Sequence, residues 1–340
     1  MSGKGKNAID MTGGSLWKNI LVFSLPLMMT QMLEVLFNLS DVAIAGKYAD
    51  YIALGAVGST ALLVSLFTGI LIGMGAGVNV RTAHQLGAEK TSGSSETVAR
   101  TVYSGLIVCL IIGIILCLVC NIFARPMLET LKTKDELIES AVLYLKIYAL
   151  GMPAMAVYNF GNGVLSACGE TKKPLVYLSI AGVLNVILNI FFVVVCKKAA
   201  DGVAIASVIA QYLSASMIMC HLLRRKDSCK LRLSNKYFDT SACGGVLMIG
   251  IPTGMQNAIF AVANLFVQTG VNHFDAVMVS GNSAAQNADT LIFNVMAAIY
   301  TACASFISRN HGEGKNDRIL KSYFISLFYS FAAGGIFGGA

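Results

Sequence analysis

The chain has 340 residues, of which 56% are hydrophobic and only 13% are charged. A soluble domain carries about a quarter charged residues, and the apolar residues here lie in long runs that do not alternate, which argues against both a soluble domain and a transmembrane β-barrel. The formal net charge of +7 would suit nucleic-acid binding only if the basic residues were clustered for that purpose, and their distribution, given below, has another explanation.

The first long apolar run, residues 16–45, contains a polar stripe. Gln31, Glu34, Asn38 and Asp41 are spaced by three, four and three residues, so they share one face of a helix. Ionisable groups at membrane depth are costly and usually face a cavity or a partner. We therefore expect this stripe to line a cavity.

Further apolar runs follow, and together they predict nine membrane spans. The predicted spans are 16–45, 52–80, 98–120, 137–166, 174–196, 203–223, 243–271, 276–307 and 319–340. This pattern is typical of an all-α polytopic membrane protein.

Lysine and arginine determine the predicted orientation. If the N-terminus is inside, the cytoplasmic segments hold 18 of these residues and the outer loops hold six. By the positive-inside rule, this bias predicts a plasma-membrane protein whose N-terminus is cytoplasmic. This bias explains the basic net charge without nucleic acid. The basic cluster at 224–226 either binds anionic membrane lipid or only sets the topology.

The longest inner loop divides the chain into two parts. We predict an N-lobe of six spans over 1–225, a cytoplasmic inter-lobe loop over 226–242, and a partial C-lobe of about three spans over 243–340. The two parts are related by an internal repeat at offsets of 225 and 226. The matching positions are Pro26 and Pro252, Asn38 and Asn264, and 85–90 and 310–315.

Six spans per repeat is an even number, so both repeats enter the membrane from the same side. Such lobes are related by a pseudo-two-fold axis along the membrane normal, and the substrate site is expected between them. A second repeat as long as the first would end near residue ~450. The expectation is therefore a C-terminally incomplete protein with about nine of twelve spans.

An ordered series of motifs supports a family resemblance. The motifs are Pro26 with NLSD at 38–41, AVGST at 56–60, QLGA at 85–88, ACGETKKP at 167–174 and GVAIASVIAQ at 202–211. With these motifs the chain resembles the multidrug and toxic compound extrusion (MATE) family.

The resemblance implies two six-helix lobes around a central cavity that opens to either side of the membrane in turn. It implies export of cationic, amphipathic small molecules in exchange for H+ or Na+, with no cofactor beyond that ion, and Asp41 matches the family's coupling aspartate. A second acid often found in span five is absent, because the matching pair reads Asn185 and Asn189. We interpret the nine cysteines as small buried residues, since most of them lie inside apolar runs.

Two sets of candidate site residues follow. The predicted cation-coupling residues are Asp41, Glu34, Asn38, Asn185 and Asn189. The predicted substrate-cavity residues are Gln31, Asn257, Asn264, Gln268, Gln286 and Asp289. Glu34 either contacts the substrate, pairs with Lys146 or is hydrogen-bonded within the lobe, and the asparagines either bind a cation or join helices.

The glycines at 69, 73 and 77 form overlapping GxxxG steps, which predict close helix packing. No GxxxxGK[ST], HExxH or GxSxG motif is present, so no catalytic residue or metal site is predicted and the chain is not expected to be an enzyme.

The leading hypothesis is a multidrug antiporter that acts as a monomer if complete. One alternative is a lipid-linked oligosaccharide flippase of related architecture. Such flippases, by resemblance, carry basic residues in the cavity, whereas the spans here are poor in Lys and Arg. The other alternative is a non-functional fragment of a transporter.

Overall fold

The structure is a computed structural model that describes residues 8–271 and 276–338. Within those ranges it does not describe the side chains of residues 265, 268, 269, 276, 277, 279–284, 286–288, 337 and 338. The described residues form helices joined by loops, and they contain no strand.

Ten α-helices account for most of the described chain. They are α1 (Leu16–Tyr48), α2 (Tyr51–Ser92), α3 (Ser95–Thr130), α4 (Asp135–Ala149), α5 (Met152–Ala167), α6 (Lys172–Ile190), α7 (Ala200–Arg224), α8 (Thr240–Val271), α9 (Ala276–Gly312) and α10 (Asn316–Gly338). Among the described residues, eight helices are long and apolar enough to cross a membrane, and there are nine such spans if the bent pair α4–α5 is counted as one. The prediction of nine spans is thus confirmed.

The fourth span differs from the prediction in its continuity. Residues 137–166 were expected to form one helix, but α4 and α5 meet at an angle of 45°. Gly151 caps the new helix and Pro153 lies in its first turn. Because proline has no backbone N–H and excludes the preceding turn, the hydrogen-bond ladder of α4 cannot continue through this point.

The spans form a six-span first lobe, α1–α7, and a second lobe, α8–α10. Helix α2 joins them through its glycines: a Cβ atom on Gly73 would lie 2.2 Å from the backbone nitrogen of Gly254, and one on Gly77 would lie 2.5 Å from the carbonyl oxygen of Val246. The predicted close packing of the GxxxG steps is confirmed. The structure adds that the partner, α8, belongs to the other lobe.

Positions related by the internal repeat meet each other across the pseudo-two-fold axis. Asn79 and Ser305, which are 226 residues apart, exchange two hydrogen bonds of 2.8 and 3.1 Å. Gly87 and Gly312 pack reciprocally, since a Cβ atom on either one would lie 2.2 or 2.0 Å from a carbonyl oxygen of the other helix. These contacts lie at the end of the bundle that carries the N-terminus, which we call the N-terminal end.

The segment between α7 and α8, residues 225–239, is fastened to the first lobe. Arg225 is 7% exposed in its side chain and pairs with Glu170 at 3.2 Å and with Asp227. Burial alone would lower the pKa of Arg225, but these two carboxylates outweigh it and raise the pKa above its ordinary value. Protein carboxylates therefore satisfy this member of the basic cluster.

The cysteines differ from the interpretation as small buried residues. Cys168, after α5, and Cys229, in the inter-lobe segment, form a disulfide across 61 residues. Cys196 and Cys220 are exposed. Sequence spacing could not reveal this pair, because its members approach only when the inter-lobe segment folds back onto the end of α5.

Candidate functional site

A cavity of about 480 Å³ lies between the two lobes. Its walls come from the later part of α1, the middle of α2, the α4–α5 bend, α6 and α7, together with α8 and α9 of the second lobe. All four residues of the polar stripe, Gln31, Glu34, Asn38 and Asp41, line it. The stripe predicted from spacing thus faces one shared space.

Asp41 is the centre of a buried polar cluster at this wall. Asp41 is only 7% exposed to solvent. Asn189 on α6 donates from Nδ2 to Asp41 Oδ1 at 2.5 Å, and Ser207 on α7 donates from Oγ to Asp41 Oδ2 at 3.0 Å. Both carboxylate oxygens therefore have donors from other helices.

Asn185 closes this cluster into a ring. Its Oδ1 accepts from Asn189 Nδ2 at 3.2 Å, and its own Nδ2 donates to Ser207 Oγ at 3.2 Å. We call Asp41, Asn185, Asn189 and Ser207 the Asp41 ring. The ring ties α1, α6 and α7 together with charge-assisted hydrogen bonds, which are stronger than neutral ones.

One atom of the ring lacks a partner. The side-chain oxygen of Asn189 is buried and accepts no hydrogen bond from the described residues. It lies in the same cluster as the Asp41 carboxylate. An amide oxygen and a carboxylate are suitable ligands for a hard cation such as Na+, and a carboxylate can also take up H+.

Glu34 lies outside the Asp41 ring. It is seven residues, or about 10 Å along the helix axis, from Asp41. Its carboxylate makes no hydrogen bond or ion pair with any described residue, and Lys146 is exposed and not paired with it. Asn38 is exposed to the cavity and likewise forms no hydrogen bond with the ring.

Only some of the candidate residues in the second lobe line the cavity. Asn257 lines it and donates to the carbonyl oxygen of Gly69 at 3.1 Å. Asn264 and Asp289 are exposed and do not line it, which corrects their placement. Asn264 lies seven residues, about 10 Å along α8, beyond the lining residue Asn257, and Asp289 precedes the lining residue Thr290, from which consecutive side chains of a helix diverge. The side chains of Gln268 and Gln286 lie outside the described residues.

Several cavity residues were missed by the sequence analysis. Helix α7 contributes Ser207, Gln211 and Ser214, which are spaced by four and three residues and so repeat the stripe pattern used for α1. The same test on span six would have found them. Tyr148 and Asn159 also line the cavity, but they flank the unforeseen α4–α5 bend, and no sequence signal indicated their direction.

The charged side chains among the described lining residues of the cavity are all acidic. Among its described lining residues, Glu34 and Asp41 are the carboxylates, and there is no lysine, arginine or histidine. Aromatic rings lie around them from both lobes. These are Phe37, Tyr148, Tyr158, Phe260 and Phe293. Carboxylates and aromatic faces both attract organic cations.

The lobes are in contact at the N-terminal end, on the side of the cavity nearer the N-terminus. Lys90 of α2 pairs with Glu313, after α9, at 3.0 Å, and Lys315 pairs with the same carboxylate at 2.7 Å. Partial burial would raise the pKa of Glu313, but hydrogen bonds from Lys315, Lys90 and Thr12 lower it overall. This end of the bundle is therefore closed by charged as well as by glycine contacts.

Comparisons with known proteins agree with this architecture. The MatE family model matches residues 26–191 and 252–338. The probable multidrug resistance protein YpnP of Bacillus subtilis is 27% identical over 92% of this chain and 69% of its own length. The FAD transporter of Shewanella oneidensis is 23% identical over 91% of this chain and 68% of its own length.

The fold also matches a solved structure. It is that of a multidrug resistance MATE family transporter of the MOP superfamily in an outward-facing conformation, with a TM-score of 0.86 and 20% identity, over 97% of this chain and 72% of the other. The structural match supports the two-lobe fold, and the family model covers most of the chain. The chain therefore belongs to the MatE family, the multidrug and toxic compound extrusion transporters.

Proposed function

We propose that the protein is a secondary antiporter of the plasma membrane that exports cationic, amphipathic small molecules in exchange for H+ or Na+. The observation that carries the proposal is the inter-lobe cavity, whose described lining has carboxylates and aromatic rings but no basic side chain. The FAD transporter among the relatives is named for an anionic cargo. A cavity of negative sign favours a cation here.

The Asp41 ring is the proposed coupling site. Its hydrogen bonds join three helices of the first lobe, so neutralising the carboxylate with H+ or Na+ would change the packing of α1 against α6 and α7. A ligand shifts a conformational equilibrium by its difference in affinity for the two states. A cation that binds only one arrangement of the ring would thereby favour the conformation in which the cavity opens to one particular side of the membrane.

The orientation also supports export. The excess of Lys and Arg at the N-terminal end supports a cytoplasmic location for this end. The lobe contacts close the same end, so the cavity of this conformation belongs to the outward-facing half of the cycle. The flippase alternative is disfavoured, since a pyrophosphate-linked substrate would need basic groups in the cavity.

The test is transport by the protein in lipid vesicles with an imposed pH or Na+ gradient and ethidium as probe. We expect wild type to respond to one gradient and Asp41→Asn to lose gradient-driven transport, because the amide cannot take up the ion. Glu136→Gln serves as the matched control, since Glu136 is an exposed carboxylate in the first turn of α4. Gradient-driven transport by Asp41→Asn at every pH would contradict the coupling assignment.

A further inference from the structure

Two carboxylates face one cavity, but their surroundings differ. Each oxygen of Asp41 accepts a hydrogen bond from the protein, at 2.5 Å and 3.0 Å. Glu34 has no hydrogen bond or ion pair with any described residue. From this difference we propose that Glu34 is the residue that selects cargo by charge, while Asp41 is reserved for the coupling ion; the proposal rests on the antiporter function above.

The position of Glu34 fits contact with cargo. It lines the large cavity and also a smaller one of about 60 Å³, which continues toward the closed end and is shared with Gln31 and Asn159. Glu34 therefore lies where the large cavity narrows. The smaller cavity has room for water, which can hydrate the carboxylate until a cation replaces it.

The neighbours of Glu34 leave its charge uncompensated. The Tyr158 hydroxyl donates to the carbonyl oxygen of Pro174 at 3.2 Å, and Asn159 Nδ2 donates to the carbonyl oxygen of Met155 at 3.0 Å. Neither of these hydrogen bonds goes to Glu34. A bound organic cation would be the counter-charge that the protein does not provide.

The test compares two probes of almost equal shape. N-methylacridinium is a permanent cation, and acridine at alkaline pH is neutral. We expect wild type to bind the cation more tightly and Glu34→Gln to lose roughly tenfold of that preference, ~1.4 kcal/mol, measured by fluorescence titration of the solubilised protein. Asp41→Asn should keep the preference but lose gradient-driven transport.

A relocation variant separates charge from local structure. Gln31 lies one turn before Glu34 and lines the same two cavities. The double variant Gln31→Glu/Glu34→Gln should regain most of the cation preference, which a merely structural role for Glu34 would not predict. Retained preference in Glu34→Gln, or no recovery in the double variant, overturns the assignment. Equal binding of both probes by wild type would instead overturn the cationic-cargo proposal.

A second, independent observation concerns residues 9–14, which we call the N-terminal strap. On the first-lobe side, the backbone N–H of Ile9 donates to the carbonyl oxygen of Gly169 at 3.1 Å, and Lys90 donates to the Thr12 hydroxyl. Met11 is 3% exposed and packs in an apolar cluster with residues of α1, α9 and α10. The strap is thus inserted at the N-terminal end.

The second lobe binds the same strap through its carbonyl oxygens. Asn310 donates to Met11 O at 3.1 Å and Lys315 donates to Thr12 O at 3.0 Å. Arg318 donates to the carbonyl oxygens of residues 11, 13 and 14 at 3.5, 3.3 and 3.2 Å. We infer that the strap is a latch that holds the two lobes together at this end and must leave before the cavity opens there.

The test is the distance between spin labels at Ser92 and Lys321, exposed positions at this end of different lobes, with exposed Cys196 and Cys220 replaced by serine. Removing residues 2–14 should shift the population to longer distances, whereas removing residues 2–7 leaves the strap and should not. Arg318→Ala should shift the distances in the same direction without shortening the chain. Unchanged distances in both the longer truncation and Arg318→Ala would overturn the latch.

Discussion

At the scale of single residues, Ser207 is the member of the Asp41 ring that the candidate list lacked. It donates to Asp41 Oδ2 and accepts from Asn185, so its hydroxyl joins α6 and α7 to the carboxylate on α1. The residue is 6% exposed, which leaves little access for water to replace it.

Ser207→Ala should lower the thermal unfolding midpoint of the purified protein. A hydrogen bond to a charged group contributes about 1.5–3 kcal/mol, and its loss leaves a buried acceptor short of a donor. Ser214→Ala is the matched control on the same helix, because its hydroxyl donates only to the carbonyl oxygen of Gln211 at 2.9 Å. Equal shifts in the two variants would show that the ring contributes nothing particular.

At the scale of helices, α2 determines how closely the lobes can approach. Its glycines face the backbone of α8 at Gly254 and Val246, and this contact must separate if the closed end opens. The packing of α2 against α8 therefore belongs to one conformation. Because glycine has no side chain, the two helices can approach and separate without interlocking side chains.

Gly73→Ala should destabilise the closed end, since its Cβ would meet the backbone nitrogen of Gly254 at 2.2 Å, and backbone cannot move aside alone. Gly58→Ala is the matched control, because nothing lies within 4 Å of its Cβ on the same helix. Both variants gain about 0.5–1 kcal/mol of helix propensity. We expect Gly58→Ala to raise the unfolding midpoint and Gly73→Ala to lower it and to lengthen the Ser92–Lys321 label distance. A rise in both midpoints would contradict the steric argument.

At the scale of the whole molecule, the two lobes use repeat-related positions for different purposes. Near the axis the equivalent positions bind each other, as Asn79 and Ser305 do. Along the cavity the lobes differ, because the first provides Asp41 and Glu34 while the described lining of the second provides amides such as Asn257. The lobes thus form symmetric contacts near the axis, whereas their contributions to the cavity lining are asymmetric.

The sequence by itself determined the number of spans, the repeat, the family resemblance and the face on which the α1 acids lie. Hydrophobic run length and helical period are local properties, so they can be read without a fold. The α4–α5 bend was partly readable, since Gly151 and Pro153 mark it, but its angle depends on the helices around it.

Only the tertiary structure decided which polar groups meet. The donors to Asp41 are 148 and 166 residues away along the chain, and helical spacing gives the direction of a side chain without naming its partner. The same holds for the strap, whose backbone carbonyl groups carry no sequence signal, and for the difference between the two acids. Asp41 and Glu34 lie on the same stripe of α1 and are both carboxylates. The packing of α6 and α7 gives hydrogen-bond donors to Asp41 and none to Glu34.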